Sequence, residues 1–221
     1  MFSIPSATNL TRPARRPSVW LGAAVGLWVI GVLAGLGSLW SYALRPGPVA
    51  VAPKSWPEAS GLVRLPGRWT LVMFLHPRCP CSRASLAELD KLQARSGGVL
   101  QSWIVAVRPD GTRPDWTDTP AMRRASALAG TQTLVDDGGR LAEQFQARTS
   151  GETFLYDPAG QLVFHGGLTP ARGHEGDNPG SEAVLACLRG RRDRGIAITP
   201  VFGCPLLESH ASSLAAVRNT P

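Results

Sequence analysis

Thr70-Leu71-Val72-Met73-Phe74-Leu75-His76-Pro77-Arg78-Cys79-Pro80-Cys81-Ser82 joins an apolar run to a pair of cysteines, and the organisation of the chain follows outward from it. Thr70–Leu75 shows no polar alternation, as expected for a strand buried on both faces. Behind the cysteines, Leu86, Leu89 and Leu92 recur at helical spacing until Gly97-Gly98 stops the pattern, so Ser82–Ser96 reads as a helix. A helix start offers unpaired N–H groups and a partial positive charge, which favour thiolate over thiol. Arg78 and Arg83 add positive potential, and His76 supplies an imidazole for proton exchange. The thiolate is the species that attacks disulfides, so Cys79 and Cys81 are candidates for exchange chemistry.

Further along, Trp103–Val107 reads as a second buried strand. Thr119-Pro120 reads as an N-cap with proline at the first helical position, opening a helix to Ala129 that Gly130 ends. Thr131–Val135 reads as a short strand and Leu141–Gln146 as a short helix. Thr153–Tyr156, the turn Asp157-Pro158-Ala159-Gly160 and Gln161–His165 form a hairpin pattern. After the glycine-rich loop Gly166–Gly180, Ser181 is expected to cap a last helix through Leu188, and Ile196–Thr199 reads as a strand. Strands alternating with helices and closing in a hairpin predict an α/β domain with a central mixed sheet flanked by helices.

From Val19 to Leu44 the chain carries no charge and is built from Trp, Leu, Val, Ile, Ala and Gly. A helix of about 20 residues crosses a bilayer core, so 18–44 reads as a transmembrane helix. Ala50-Val51-Ala52 resembles a signal-peptidase site, but the apolar run exceeds a signal's core and Pro53 follows the cut. Arg12, Arg15 and Arg16 precede the span, whereas Arg45 and Lys54 follow it sparsely, which places 1–17 in the cytoplasm and the rest outside. In a bacterial cell that is an inner-membrane protein with a periplasmic domain, in a compartment that permits disulfides. Residues 45–66 are expected to be a linker, 67–190 the domain and 191–221 a C-terminal extension. The formal charge of +7 owes most to the N-terminal region, where the first acid is Glu58; the nearly balanced remainder has no footprint for nucleic acid.

The order strand, cysteine pair, helix, and later Thr153-Phe154-Leu155-Tyr156-Asp157 resembles the thioredoxin fold in its membrane-tethered, extracytoplasmic form, over roughly residues 65–190. More narrowly, His76-Pro77-Arg78-Cys79-Pro80-Cys81, the loop Arg172-Gly173-His174-Glu175-Gly176-Asp177-Asn178 and the tail Val201-Phe202-Gly203-Cys204-Pro205 resemble RedB-type thioredoxin-like proteins. The resemblance implies a thioredoxin-like domain that exchanges thiols and disulfides with periplasmic proteins bearing them, with no cofactor. Two departures stand out: one residue separates the cysteines where thioredoxins have two, and Gly151 occupies the place of the proline that normally faces them. A Cys-x-Cys disulfide closes a small, strained ring and is correspondingly oxidising.

On this reading Cys79, the expected solvent-facing and more acidic thiol, attacks a partner disulfide, Cys81 resolves the intermediate, and Arg78 tunes the thiolate. His174, the histidine of the polar loop, is expected near the pair as a proton-exchanging group. The alternative is a copper or zinc module or metallochaperone, with His76, Cys79, Cys81 and Cys204 as soft donors. Cys187 lies on the apolar side of the last helix. A structural Cys187–Cys204 bridge is the ordinary expectation, although four cysteines allow three pairings and spacing does not choose among them.

Overall fold

The structure, a computed structural model, describes residues 19–191 and 195–207. Arg12, Arg15 and Arg16, on which the expected orientation rests, lie outside the described residues. The chain divides into two compact units, residues 1–42 and 43–221. Helix α1 (Val19–Ala43) is, among the described residues, the one helix long and apolar enough to cross a membrane. Its 25 residues extend about 37 Å at 1.5 Å per residue, against a hydrocarbon core of about 30 Å.

The second unit is built on one six-stranded sheet. In chain order its elements are β1 (Trp69–Leu75), α2 (Ser82–Arg95), β2 (Leu100–Arg108), α3 (Pro120–Ala127), β3 (Thr131–Asp137), α4 (Arg140–Phe145), β4 (Glu152–Tyr156), β5 (Leu162–Gly166), α5 (Pro179–Leu188) and β6 (Ala197–Ile198). The strands lie in the order β3-β2-β1-β4-β5-β6. β1, β2 and β3 run parallel, and β4 is antiparallel to β1 and to β5. A parallel βαβ unit joined to an antiparallel hairpin, with the two middle strands opposed, is the thioredoxin-like arrangement.

The absence of alternation in β1 has a direct cause, since both faces of the strand are covered. Leu71, Met73 and Leu75 pack with Leu86, Leu89 and Leu92 of α2 on one side. Val72 and Phe74 point to the other side, into a cluster with Phe145, Phe154, Tyr156 and Trp56. Each fully buried leucine or phenylalanine stabilises the fold by about 1.5–3 kcal/mol relative to exposure. Two caps set helix starts. Thr119 Oγ1 accepts from the Met122 N–H at 3.3 Å to open α3. At α5 the cap is Asn178, whose Oδ1 accepts from the Ser181 N–H at 2.7 Å, so the expectation that Ser181 caps this helix is corrected by three residues.

Described residues within the segments read as linker and extension pack against the sheet. Trp56 is buried, edge-on to Phe145 and Tyr156 at ring distances of 5.6 and 5.2 Å. The Leu162 N–H donates to the Lys54 carbonyl, and the Gly47 N–H to the Val201 carbonyl, both at 2.8 Å. In the tail, β6 pairs in parallel with β5, and Val201 and Leu206 are buried. Residues 47–56 and 197–206 therefore lie against the β4 and β5 half of the sheet.

Candidate active site

β1 ends at Leu75, and the chain turns through His76–Cys81 into α2. The turn is locked by two serines. Ser150 Oγ accepts from the His76 N–H at 2.9 Å, while Ser82 Oγ donates to the His76 carbonyl at 3.1 Å and lies 3.1 Å from Ser150 Oγ. Cys79 stands in the turn just before the helix, and Cys81 occupies its N-cap position, its carbonyl accepting from the Ala84 and Ser85 N–H groups.

The tail supplies a third thiol. Residues 203–206 lie antiparallel to residues 148–150: the Ser150 N–H donates to the Cys204 carbonyl at 2.8 Å, the Leu206 N–H to the Arg148 carbonyl at 2.9 Å, and Thr149 bridges to Pro205. Arg172 donates from its guanidinium to the Gly203 carbonyl. Gly203 passes so close to the loop that a Cβ there would sit 1.9 Å from the Ser150 oxygen. This clamp sets Cys204 Sγ 3.0 Å from Cys79 Sγ. Cys187 is 2% exposed within the α2–α5 core cluster, and all four cysteines are free thiols. The expected Cys187–Cys204 bridge is therefore absent, because the tail carries Cys204 to Cys79.

These neighbours polarise the three thiols. Cys79 is lowered to about 4, chiefly because the Cys81 thiol donates to its sulfur, with Cys204 helping against the opposing effect of burial. Cys81 is pushed above the thiol range by the same hydrogen bond and by burial. Cys204 is raised to about 11 by burial and by its hydrogen bond to Cys79, with the Arg172 charge pulling the other way. Cys79 is thus the most acidic of the three thiols. Exposure runs opposite to the sequence expectation: Cys79 is 4% exposed, Cys81 9%, and Cys204 is half-buried and the most open of the three.

The other predicted residues are placed as follows. Arg78 is exposed, its guanidinium 5.2 Å from the Trp116 ring and its Nε donating to the Trp116 carbonyl at 3.3 Å. The His76 ring lies edge-on to Trp116 at 5.1 Å, and its Nδ1 accepts from the Arg78 N–H at 3.2 Å. His174 is exposed, with Nδ1 2.8 Å from the Arg172 carbonyl. From its loop it is Arg172 that reaches the tail and acts on Cys81 and Cys204. Among the described residues, no three or more His, Cys, Asp or Glu side chains are arranged to hold a metal ion. Of the donor set His76, Cys79, Cys81 and Cys204, the sulfurs of Cys79 and Cys204 lie 3.0 Å apart, and His76 directs Nδ1 at its own turn.

Sequence reasoning missed two groups. Ser150 ties the turn to the tail. Buried Glu152 accepts from the Arg148 and Thr149 N–H groups at 2.7 and 3.0 Å through one oxygen, and its other oxygen lies 2.7 Å from His165 Nε2. Gly151, which the sequence placed at the position of the facing proline, has φ +91° and donates from its N–H to the Phe74 carbonyl at 2.7 Å. The position before Thr153 was the available signal for this loop; nothing local marked Glu152 and His165 as partners.

No protein-family model and no curated protein matches the chain. Among solved structures it is similar to a hypothetical protein from Sinorhizobium meliloti, with 24% identity over 74% of this chain and 94% of that one and a TM-score of 0.53. An uncharacterized conserved protein from Geobacillus kaustophilus matches at 19% identity over 75% and 93%, also with a TM-score of 0.53. At these identities the likeness is one of fold. A secreted Mycobacterium tuberculosis disulfide oxidoreductase homologous to E. coli DsbE matches at 16% identity over 57% and 84%, with a TM-score of 0.40.

Proposed function

We propose that the chain is a membrane-anchored thiol–disulfide oxidoreductase whose domain faces the extracytoplasmic side and exchanges with thiol- or disulfide-bearing periplasmic proteins. The observation that carries this reading is the thiol cluster at the start of α2, where Cys204 Sγ lies 3.0 Å from Cys79 Sγ and neighbouring thiol donors lower Cys79 to about 4. A structural thiol in a core has no such donors, whereas a thiolate poised next to further thiols has what disulfide exchange requires. The RedB-type resemblance is supported by convergence: Arg172 of the polar loop and Cys204 of the tail meet the Cys79–Cys81 turn at one place.

The test is the reduction potential of the purified full-length chain in detergent, together with insulin reduction by the wild type and by Cys79→Ser. A two-electron couple that vanishes with Cys79 supports the reading. A Cys79 that alkylates as an ordinary thiol and supports no exchange refutes it. Metal analysis of the same preparation addresses the alternative, since stoichiometric copper or zinc lost on blocking the thiols would favour a metallochaperone.

A further inference from the structure

The cysteine facing Cys79 most directly is far away in sequence. Cys204 Sγ lies 3.0 Å from Cys79 Sγ, and the two residues are 125 positions apart. A disulfide needs sulfurs about 2 Å apart, so closing this pair takes a movement of about 1 Å. It closes a long loop and avoids the strained ring that a Cys79–Cys81 bond would form. The approach is also built: the Ser150 N–H, the Arg148 carbonyl and the Arg172 guanidinium hold the tail on both sides of Cys204, and Leu206 anchors it in the core. The more open sulfur of the pair belongs to Cys204.

Resting on the oxidoreductase reading above, we infer that Cys79 and Cys204 form the working disulfide and that Cys204 is the sulfur at which partner proteins exchange. In the oxidised chain a partner thiolate attacks Cys204 Sγ; a partner–Cys204 bond forms, the Cys79–Cys204 bond breaks, and Cys79 leaves as thiolate. Cys79 is the better leaving group because it is the more acidic thiol, and Cys81 donates its hydrogen bond to the charge that appears there. The partner's second thiol then attacks its own sulfur in the mixed disulfide, and Cys204 leaves and takes up a proton. The partner dithiol has lost two electrons and two protons; the chain has gained both electrons as the Cys79 thiolate and the Cys204 thiol, with one proton on Cys204 and the other released to solvent. A second, disulfide-bearing protein restores the bond by the same steps in reverse.

The full-length chain in detergent is oxidised with diamide, blocked with N-ethylmaleimide, digested with trypsin and analysed by mass spectrometry; a second sample of oxidised chain is challenged with reduced glutathione before blocking. The expected products are a peptide beginning at Cys79 linked to the peptide bearing Cys204, and glutathione attached to Cys204. Cys81→Ser should still form the link, and Cys204→Ser should exchange with glutathione about tenfold more slowly or worse. A bond between Cys79 and Cys81 within one peptide, with glutathione on Cys79 and undiminished exchange in Cys204→Ser, overturns the assignment and leaves the oxidoreductase reading standing. Exchange no faster than that of an ordinary thiol in the wild type and both variants overturns the oxidoreductase reading itself.

Discussion

Gly203→Ala isolates the tail clamp without touching a sulfur. The added Cβ would sit 1.9 Å from the Ser150 oxygen and 2.9 Å from its carbonyl carbon. Carbon and carbonyl oxygen ordinarily approach no closer than about 3.3 Å, so the tail must withdraw by more than about 1 Å. The obstacle is backbone rather than the end of a flexible side chain, and rotamer adjustment does not relieve it. Withdrawal stretches the Ser150–Cys204 hydrogen bond, now 2.8 Å, out of range and parts the sulfurs of Cys79 and Cys204. Overpacking strain of about 1–3 kcal/mol and one lost hydrogen bond of about 1 kcal/mol together give about 2–4 kcal/mol. Release of the whole tail sets the ceiling, because it forfeits the burial of Val201 and Leu206, about 1.5–3 kcal/mol each. Urea unfolding reads the stability, and iodoacetamide labelling of Cys79, 4% exposed in the wild type, reads the opening. An unchanged midpoint with Cys79 still protected would refute the steric reasoning.

Cys81→Ala removes the largest influence holding Cys79 near 4, so the inflection of Cys79 alkylation against pH should move up towards the ordinary thiol value of about 8.5. Because the folded value is depressed, the stability contributed by the Cys79 thiolate is present above about 8.5 and is lost as the pH falls towards 4; in Cys81→Ala that window narrows, as unfolding at a series of pH values would show. Thr119→Ala, which deletes the α3 cap and a 3.1 Å hydrogen bond to the Pro77 carbonyl, should cost about 1 kcal/mol by thermal unfolding. Glu152→Ala leaves the Arg148 and Thr149 N–H groups without their buried acceptor, so it should cost about 3 kcal/mol and speed Cys79 labelling by loosening the loop that holds the tail. A reporter that works only outside the cytoplasm, fused after Pro221, should be active; activity only of a cytoplasmic reporter would reverse the orientation.

The sheet was legible because its signals are local. Thr70–Leu75 and Trp103–Val107 announce burial on both faces, Thr153–Tyr156 announces one arm of a hairpin, and all three are interior strands of the sheet. Thr119-Pro120 and the hairpin turn act through neighbouring backbone groups and are found where expected. What escaped was long-range. Pro-rich composition made residues 45–66 read as a stalk, yet Trp56 and Leu62 within it are core residues that needed a place to pack. At α5 the cap falls on Asn178, three residues before Ser181, because its side-chain carbonyl accepts from the Ser181 N–H while its Nδ2 donates to buried Glu88 at 3.2 Å. Cys79 and Cys81 were visible as a pair on one turn, but no periodicity or spacing connects either to Cys204. Sequence placed His174 near the thiols on the strength of its loop; the side chain that extends from that loop to the tail belongs to Arg172.

The tail clamp also makes the redox balance of the site a matter of concentration. An undocked Cys204 would meet Cys79 only as often as a flexible chain end does, at an effective concentration in the millimolar range or below. Docked by Ser150, Arg148, Arg172 and Leu206, the same thiol is held at contact, 3.0 Å away, and its effective concentration rises with every increment of docking free energy. Each 1.4 kcal/mol of docking that is retained when the disulfide closes favours that disulfide about tenfold, or about 30 mV for a two-electron couple. Residues that never touch a sulfur, Glu152 beneath the loop and Leu206 in the core, are therefore adjustable settings of the potential at which Cys79 and Cys204 exchange electrons. A substitution at either would retune the couple while leaving its chemistry intact.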